Sequence, residues 1–267
     1  MLEKLLITGA AGGVAQLILP HIGHLAKTMR LSDLIEPEEI PEGAEFVTCD
    51  LGSEDDVNDL VAGCDGIINL GGRSTEDSFA NLLTPNIVGI HNLYEAARLN
   101  GMPRIVQASS NHAIGFYRQG ERINAKALTR PDSWYGVTKV YGEAVASMYF
   151  EKFGQETAII RIGSCFEKPL DYRMFATWLA PQDFASMLTR IFEVPRLGCP
   201  IIYGVSNNKV CWWDNSQVQY LGWAPAESSD QFSSDLNYPR PSADDPAAIY
   251  HGGKFINFPI MKTTTER

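Results

Sequence analysis

The sequence predicts an α/β fold built on a doubly wound parallel sheet, and three observations predict it. Apolar runs short enough to be strands recur at residues 4–8, 28–31, 45–49, 66–70, 104–108 and 157–161. Helical patterns or helix-start signals fall between them, and strands alternating with helices give a parallel sheet covered on both faces. The first run passes directly into Gly9-Ala10-Ala11-Gly12-Gly13-Val14-Ala15. Strand, tight glycine turn and helix is the order that sets a pyrophosphate at a helix N-terminus.

Within that turn, Gly9 permits the sharp reversal and Gly12 lets the backbone come close to phosphates. Ala15 is small enough for helix to pack on strand. Pro20 is expected to kink or shorten the helix that follows. The second strand ends at Ser32-Asp33, and Asp33 lies 21 residues after Gly12. A carboxylate there accepts the two ribose hydroxyls of NAD and repels a 2′-phosphate, so NAD is expected over NADP. Asp50 and Leu51 follow the third strand, and Ser53 with Glu54, Asp55 and Asp56 reads as a cap with acids in the first turn of a helix. The fourth strand leads to Gly71-Gly72-Arg73-Ser74, and residues 86–100 carry a helical pattern. The fifth opens into Ser109-Ser110-Asn111-His112, the sixth into Ile162-Gly163-Ser164-Cys165. Ligands of such sheets bind outside the carboxyl ends of the strands. The glycine turn, Asp33, Asp50, Ser74, residues 109–112 and residues 162–164 all fall there, which argues for one shared site.

Between the fifth and sixth strands, Tyr135 and Lys139 stand four residues apart. Apolar residues at 137, 140, 141, 144, 145 and 148 mark a helix with one buried face, so the two side chains project together from its first turn. A free phenol, with a pKa of about 10, is a poor base at neutral pH. An ammonium one turn away favours the phenolate, which can take a proton from a hydroxyl as hydride leaves the same carbon. Alone, the Tyr-x-x-x-Lys spacing is a weak signal; here it coincides with the glycine turn and Asp33.

After residue 165 the pattern loosens. Pro181 suits the first position of a helix running to about residue 192, and residues 200–204 read as a further strand. A short helix after Trp212-Trp213-Asp214 should stop at Gly222, with the tryptophans serving packing. The tail from Ser228 is polar and proline-rich and is expected to wrap the surface. A single domain is expected: residues 1–165 form a Rossmann-type NAD-binding core, and residues 166–267 mainly a substrate-binding region and tail.

Composition excludes several classes. Net charge is −10 with no basic cluster, which argues against a nucleic-acid partner. No apolar run approaches the ~18 residues a membrane span needs, and the first strand begins too early to leave room for a signal peptide. Five scattered cysteines without a Cys-x-x-Cys pair suggest reduced thiols in a cytoplasmic protein with no metal site.

Taken together, the glycine turn, Asp33, Asp50-Leu51, the serine-rich end of the fifth strand and Tyr135/Lys139 resemble the extended short-chain dehydrogenase/reductase superfamily over roughly residues 1–225. More narrowly, residues 108–115, 135–139, 161–165, Tyr172-Arg173-Met174 and Trp212-Trp213-Asp214-Asn215 are similar to the bacterial uronate dehydrogenases, nearly end to end. That resemblance implies NAD-dependent oxidation of C1 of glucuronate or galacturonate to an aldarolactone. It implies Tyr135 as general base, with Lys139 on the nicotinamide ribose lowering the phenol pKa. Ser110, Asn111 and His112 would bind sugar hydroxyls, Ser74 and Ser164 would complete the pocket, and Arg173 would clamp the C6 carboxylate. Gly9, Gly12, Gly13, Val14, Asp33, Asp50, Leu51, Leu70 and Ile162 would line the NAD site. A homo-oligomer is expected, as is common in the superfamily.

Arg suits bidentate capture of a planar carboxylate, so a site built on such a pair should prefer acids to neutral hexoses. The pattern departs from extended reductases at Asn111, where a catalytic Ser or Thr usually stands, so Ser110 and Asn111 both stay candidates for polarising the reacting oxygen. Two other readings stay open at this level: a nucleotide-sugar epimerase or dehydratase, and a non-catalytic dinucleotide sensor.

Overall fold

The computed structural model describes residues 1–235 and 240–260. β1 (Leu2–Thr8) passes through the glycine turn into α1 (Gly13–Ile22), and β2 (Ala26–Asp33) and β3 (Glu45–Thr48) follow. α2 (Glu54–Val61) leads to β4 (Gly66–Asn69). α3 (Phe79–Leu82), a π-helical segment at Leu83–Val88 and α4 (Gly89–Leu99) then run without interruption before β5 (Arg104–Ser110). A short β6 (Ile123–Asn124) precedes α5 (Trp134–Phe153) and β7 (Thr157–Ile162). β8 (Ser164–Cys165), α6 (Met174–Thr177), β9 (Trp178–Leu179) and α7 (Pro181–Glu193) follow. β10 (Ile201–Gly204), β11 (Trp213–Asp214) and α8 (Pro246–Ile249) are the last regular elements described.

The main sheet has seven parallel strands in the order β10-β7-β5-β4-β1-β2-β3. The chain reverses direction of travel across the sheet between β1 and β4, and a crevice opens at such a switch point. The continuous apolar run Leu5-Leu6-Ile7 is what a strand buried on both faces requires. Leu5 and Ile7 pack with Ile18 of α1 and Phe184 and Leu188 of α7. Leu6 points the other way, to Val57 and Leu60 of α2, Leu93 of α4 and Val145 of α5. A third cluster joins Tyr203, Trp212, Trp213 and Ala176, giving both tryptophans the packing role expected of them.

Most boundaries follow local chemistry. Pro181 occupies the first turn of α7, and Gly222, at φ +66°, ends the turn that follows β11, although that turn is 3-10 rather than α. α1 ends two residues after Pro20, as a missing N–H predicts. Ser53 precedes α2 as expected, but its hydroxyl makes no capping bond. The helical run reaches back to Phe79 rather than starting at residue 86, because the wide π turn accommodates Pro85.

One expectation is corrected. The expected apolar stripe of α5 holds only in part: Val145 is buried and Val140 and Tyr141 are half-buried, but Val137, Ala144 and Met148 are exposed, while Tyr135, Thr138, Gly142, Glu143, Ala146 and Tyr149 are buried. The helix turns polar groups inward because they have partners there. Glu143 accepts from Ser109 at 2.6 Å and takes both Nε and Nη2 of Arg161, at 2.9 and 2.8 Å. This pair ties α5 to β5 and β7, with 1% and 7% of the Arg161 and Glu143 side chains exposed. Among the described residues no helix is long and apolar enough to cross a membrane.

Removing one member of so buried a pair strands the other charge. Glu143→Ala is therefore expected to lower the unfolding free energy by roughly 3–5 kcal/mol, measured by urea denaturation.

Candidate active site

The glycine turn is built as its sequence requires. Gly9 has φ +70°, and a Cβ there would stand 2.6 Å from the carbonyl carbon of Leu70. Gly12 caps α1, and a Cβ on it would press on the Gly9 carbonyl at 3.0 Å. A Cβ on Gly13 would meet nothing within 4 Å, so packing leaves that position open. Asp33 closes the turn: its carboxylate accepts the N–H of Ala11 at 3.0 Å and of Leu34 at 2.7 Å. Around these residues lies a cleft of about 430 Å³, which Gly9, Gly12, Gly13, Val14, Asp33, Asp50, Leu51, Leu70 and Ser74 all line. Cys49 is in the same wall, and burial pushes its thiol up to about 11, keeping it neutral. The backbone donors at the head of α1 and the fixed carboxylate of Asp33 fit a dinucleotide's pyrophosphate and ribose.

Tyr135 and Lys139 stand beyond that cleft, at the ends of β5 and β7; Gly71 lines both the cleft and a small cavity containing Lys139. The first turn of α5 is held by two residues through three hydrogen bonds. Ser133 accepts the N–H of Gly136 at 3.0 Å, and Glu76 accepts those of Trp134 and Tyr135 at 3.1 and 2.8 Å. Lys139 donates to the Ala108 carbonyl at 3.0 Å and lies 5.3 Å from the centroid of the Tyr135 ring. Burial dominates the phenol's acidity and, together with the charge on Asp132, pushes Tyr135 up to about 12, against a lowering hydrogen bond with Ser110. Burial also pulls Lys139 down to about 8.

Next to Tyr135, His112 donates or accepts at Nδ1 with Asp132 at 2.8 Å, and the Asp132 side chain is fully buried. Ser133 donates to the second oxygen of that carboxylate at 2.8 Å. The imidazole stands 5.7 Å from the Tyr135 ring and stacks on Phe255 at 3.7 Å. Ser110 is buried here and accepts the N–H of His112 at 3.2 Å. Asn111 is 1% exposed, yet its amide nitrogen has no partner among the described residues. A buried donor left unpaired is costly and rare; a hydroxyl-bearing ligand would satisfy it.

Arg173 faces the same region and pairs with no carboxylate among the described residues. It donates to the carbonyl of His251 at 2.9 Å and to Ser164 at 3.4 Å, and Ser164 in turn bonds Thr177 at 2.9 Å. Burial lowers its pKa, against the raising charges of Asp171 and Asp132. A guanidinium presents a planar donor fork that matches a planar anion. Ile162 ends β7, one residue before Gly163, whose Cβ would meet the Thr177 carbonyl at 2.1 Å.

Four residues of this arrangement were not legible beforehand. Asp132 and Glu76 lie in loops, His251 and Phe255 in the tail, and no short-range spacing ties any of them to the site.

Residues 5–197 match the family described as the NAD dependent epimerase/dehydratase family, and the chain belongs to it. Within that family it is similar to the uronate dehydrogenases over nearly its whole length. The uronate dehydrogenase of Pseudomonas putida is 48% identical over 256 residues, covering 95% of each chain. A solved glucuronic acid dehydrogenase from Chromohalobacter salexigens superposes with a TM-score of 0.95 at 50% identity, over 97% of this chain and 98% of that one. A tyrosine-to-alanine mutant of the Agrobacterium tumefaciens uronate dehydrogenase, complexed with NAD, superposes with the same TM-score at 46% identity, over 98% and 99%.

The depressed pKa of Lys139 makes a stability prediction. Between about 8 and the ordinary 10.5 the unfolded chain binds the extra proton, so Lys139 contributes stability that rises with pH across that window. The difference in unfolding free energy between the wild-type chain and Lys139→Met should shift in favour of the wild type as pH goes from 8 to 10, measured by denaturant titration without added cofactor.

Proposed function

We propose that the chain oxidises a uronic acid, glucuronate or galacturonate, at C1 to the aldarolactone with NAD as oxidant. The observation that carries this reading is the half-buried Arg173 guanidinium, which pairs with no carboxylate among the described residues and, like Tyr135, lies close enough to Asp132 to feel its charge. Arg173 takes the C6 carboxylate, and Asn111, His112, Ser110, Ser74 and Ser164 bind sugar oxygens. The glycine turn, Asp33, Asp50, Leu51, Leu70 and Ile162 form the dinucleotide side, with residues 1–165 as that core and residues 166–267 mainly serving the substrate, in a single domain. Bound NAD supplies the hydride acceptor and, in its oxidised form, a positive ring charge that favours a phenolate.

Tyr135 takes the proton of the anomeric hydroxyl as hydride departs from C1, leaving the ring lactone carbonyl. With the phenol pushed up to about 12 by burial, a standing phenolate is scarce, and the Ser110 hydrogen bond is the protein's own aid to it. Lys139 is placed to hold the nicotinamide ribose. The Asp132 carboxylate holds the His112 ring, so His112 orients a hydroxyl rather than acting as the base. No separate uridine pocket is needed by this reading, unlike that of a nucleotide-sugar epimerase. The cytoplasm suits its five free thiols. A homo-oligomer would cover the exposed apolar residues Val137 and Met148 of α5 and the neighbouring Phe79 and Leu83.

The test is NADH absorbance with uronic acids and neutral hexoses, each with NAD and then NADP. Uronates with NAD should turn over; turnover of neutral hexoses alone would overturn the reading. Tyr135→Phe should cut turnover by about 10²–10⁴-fold while NAD binding, followed by calorimetry, persists. Arg173→Ala should raise the uronate KM by roughly a hundredfold and leave the NAD KM unchanged.

A further inference from the structure

The tail does not merely wrap the surface, as its composition suggested. From Tyr250 it is laced to the loop after β5. Tyr250 bridges Arg118, His251 donates to the Tyr117 carbonyl at 2.8 Å, and Gly252 donates to the Gly115 carbonyl at 2.9 Å. The Gln119 amide adds bonds to the carbonyls of Ala247 and Tyr250, both at 3.0 Å. Two adjacent glycines then let the backbone lie directly on site residues. A Cβ on Gly252 would stand 1.8 Å from a carboxylate oxygen of Asp132, and one on Gly253, at φ +60°, would stand 2.7 Å from Cδ of Arg173. The turn Gly253–Asn257 that follows brings Phe255 onto His112, with ring centroids 3.7 Å apart and planes 24° apart. The same ring is 6.0 Å from that of Tyr135.

One strap therefore touches the guanidinium expected to hold the carboxylate, the imidazole expected to hold a hydroxyl, and the neighbourhood of the base. We propose that residues 250–257 form the remaining wall of the substrate pocket and that Phe255 is a specificity-determining residue, offering its aromatic face to the C–H face of a pyranose ring. The proposal rests on the uronate reading above. Its physical basis is a division of labour. Arg173 reads a charge and the polar side chains read hydroxyls, but neither reads the apolar face of a sugar. Aromatic rings do so with large area and little entropy loss, because a Phe side chain has few torsions to fix. Phe255 is only partly buried, so contact with a ligand would still remove ring surface from water.

The experiment uses the full chain with glucuronate, galacturonate and NAD, and compares Phe255→Ala, Phe255→Leu and Phe255→Tyr. Phe255→Ala is expected to raise the uronate KM on the order of tenfold with the NAD KM and the thermal midpoint unchanged. Phe255→Leu, which keeps apolar volume without the aromatic face, should fall between it and the wild type, and Phe255→Tyr should restore most of the loss. The idea is overturned if Phe255→Ala leaves the uronate KM where it was. It is equally overturned if both KM values rise together as the thermal midpoint falls in the Ala and Leu variants, since the strap would then be a brace. If the wild-type chain oxidises no uronate, the reading of the site falls and the strap proposal with it. If the wild type turns over and Phe255→Ala matches it, only the strap proposal falls.

Discussion

The site depends on how the first turn of α5 is tied down. A helix N-terminus leaves N–H groups without partners inside the helix, and here three of them are taken by a serine and a glutamate. Ser133 takes one and the Glu76 carboxylate two, where a negative charge also complements the helix dipole. Gly136 allows this turn to lie against the carbonyl of His112, since a Cβ there would stand 2.4 Å from that oxygen. At the next turn Lys139 is tied to the Ala108 carbonyl of β5. Both turns are fixed to the sheet and to the loop before α3, and the ring of Tyr135 is buried against His112 and Phe255.

The second constraint is burial with incomplete compensation. Tyr135, Lys139, Asn111 and Arg173 each sit where the uncomplexed protein serves them only in part: a phenol and an ammonium with displaced pKa values and, among the described residues, an amide nitrogen without an acceptor and a guanidinium without an anion. Each deficit is a polar or ionic demand that a hydroxylated acid and a dinucleotide can meet. Interactions formed in such a dry site are stronger than the same contacts in water, which is why recognition of an acidic sugar can rest on few groups. The cost is borne by the rest of the fold, through the two apolar layers that enclose the sheet and the Glu143–Arg161 pair beneath α5.

Much of the dinucleotide side was legible because its chemistry is local. Gly9 must adopt positive φ at a fixed distance from the first strand, and Asp33 must end the second, so short-range order in the chain records both. Tyr135 and Lys139 were legible for the same reason, being one helical turn apart. The orientation of α5 was not. Its apolar residues gave a plausible face, yet the inward face carries Thr138, Gly142 and Glu143, since Ser109 and Arg161 of neighbouring strands satisfy the buried carboxylate. A pattern of hydrophobicity cannot show that a polar residue has a partner waiting 18 or 34 positions away in the chain. The acidity of Tyr135 was not legible either: spacing gives its proximity to Lys139, whereas the burial that raises its pKa belongs to the packed state.

By itself, then, the sequence determined the order of strands and helices, the glycine turn with its acidic partner, the Tyr–Lys pair and the family. Each of these is written in residues within a few turns of one another, where backbone geometry leaves little choice. Tertiary structure alone decided which face of α5 turns inward, which carboxylates hold His112 and the head of that helix, and that Phe255 and the carbonyl of His251 close on the site from the far end of the chain. Those contacts join segments that are not neighbours in the chain, 20 residues apart for His112 and Asp132 and 78 for Arg173 and His251, and only folding, which brings them into van der Waals and hydrogen-bonding range, gives them any energy at all.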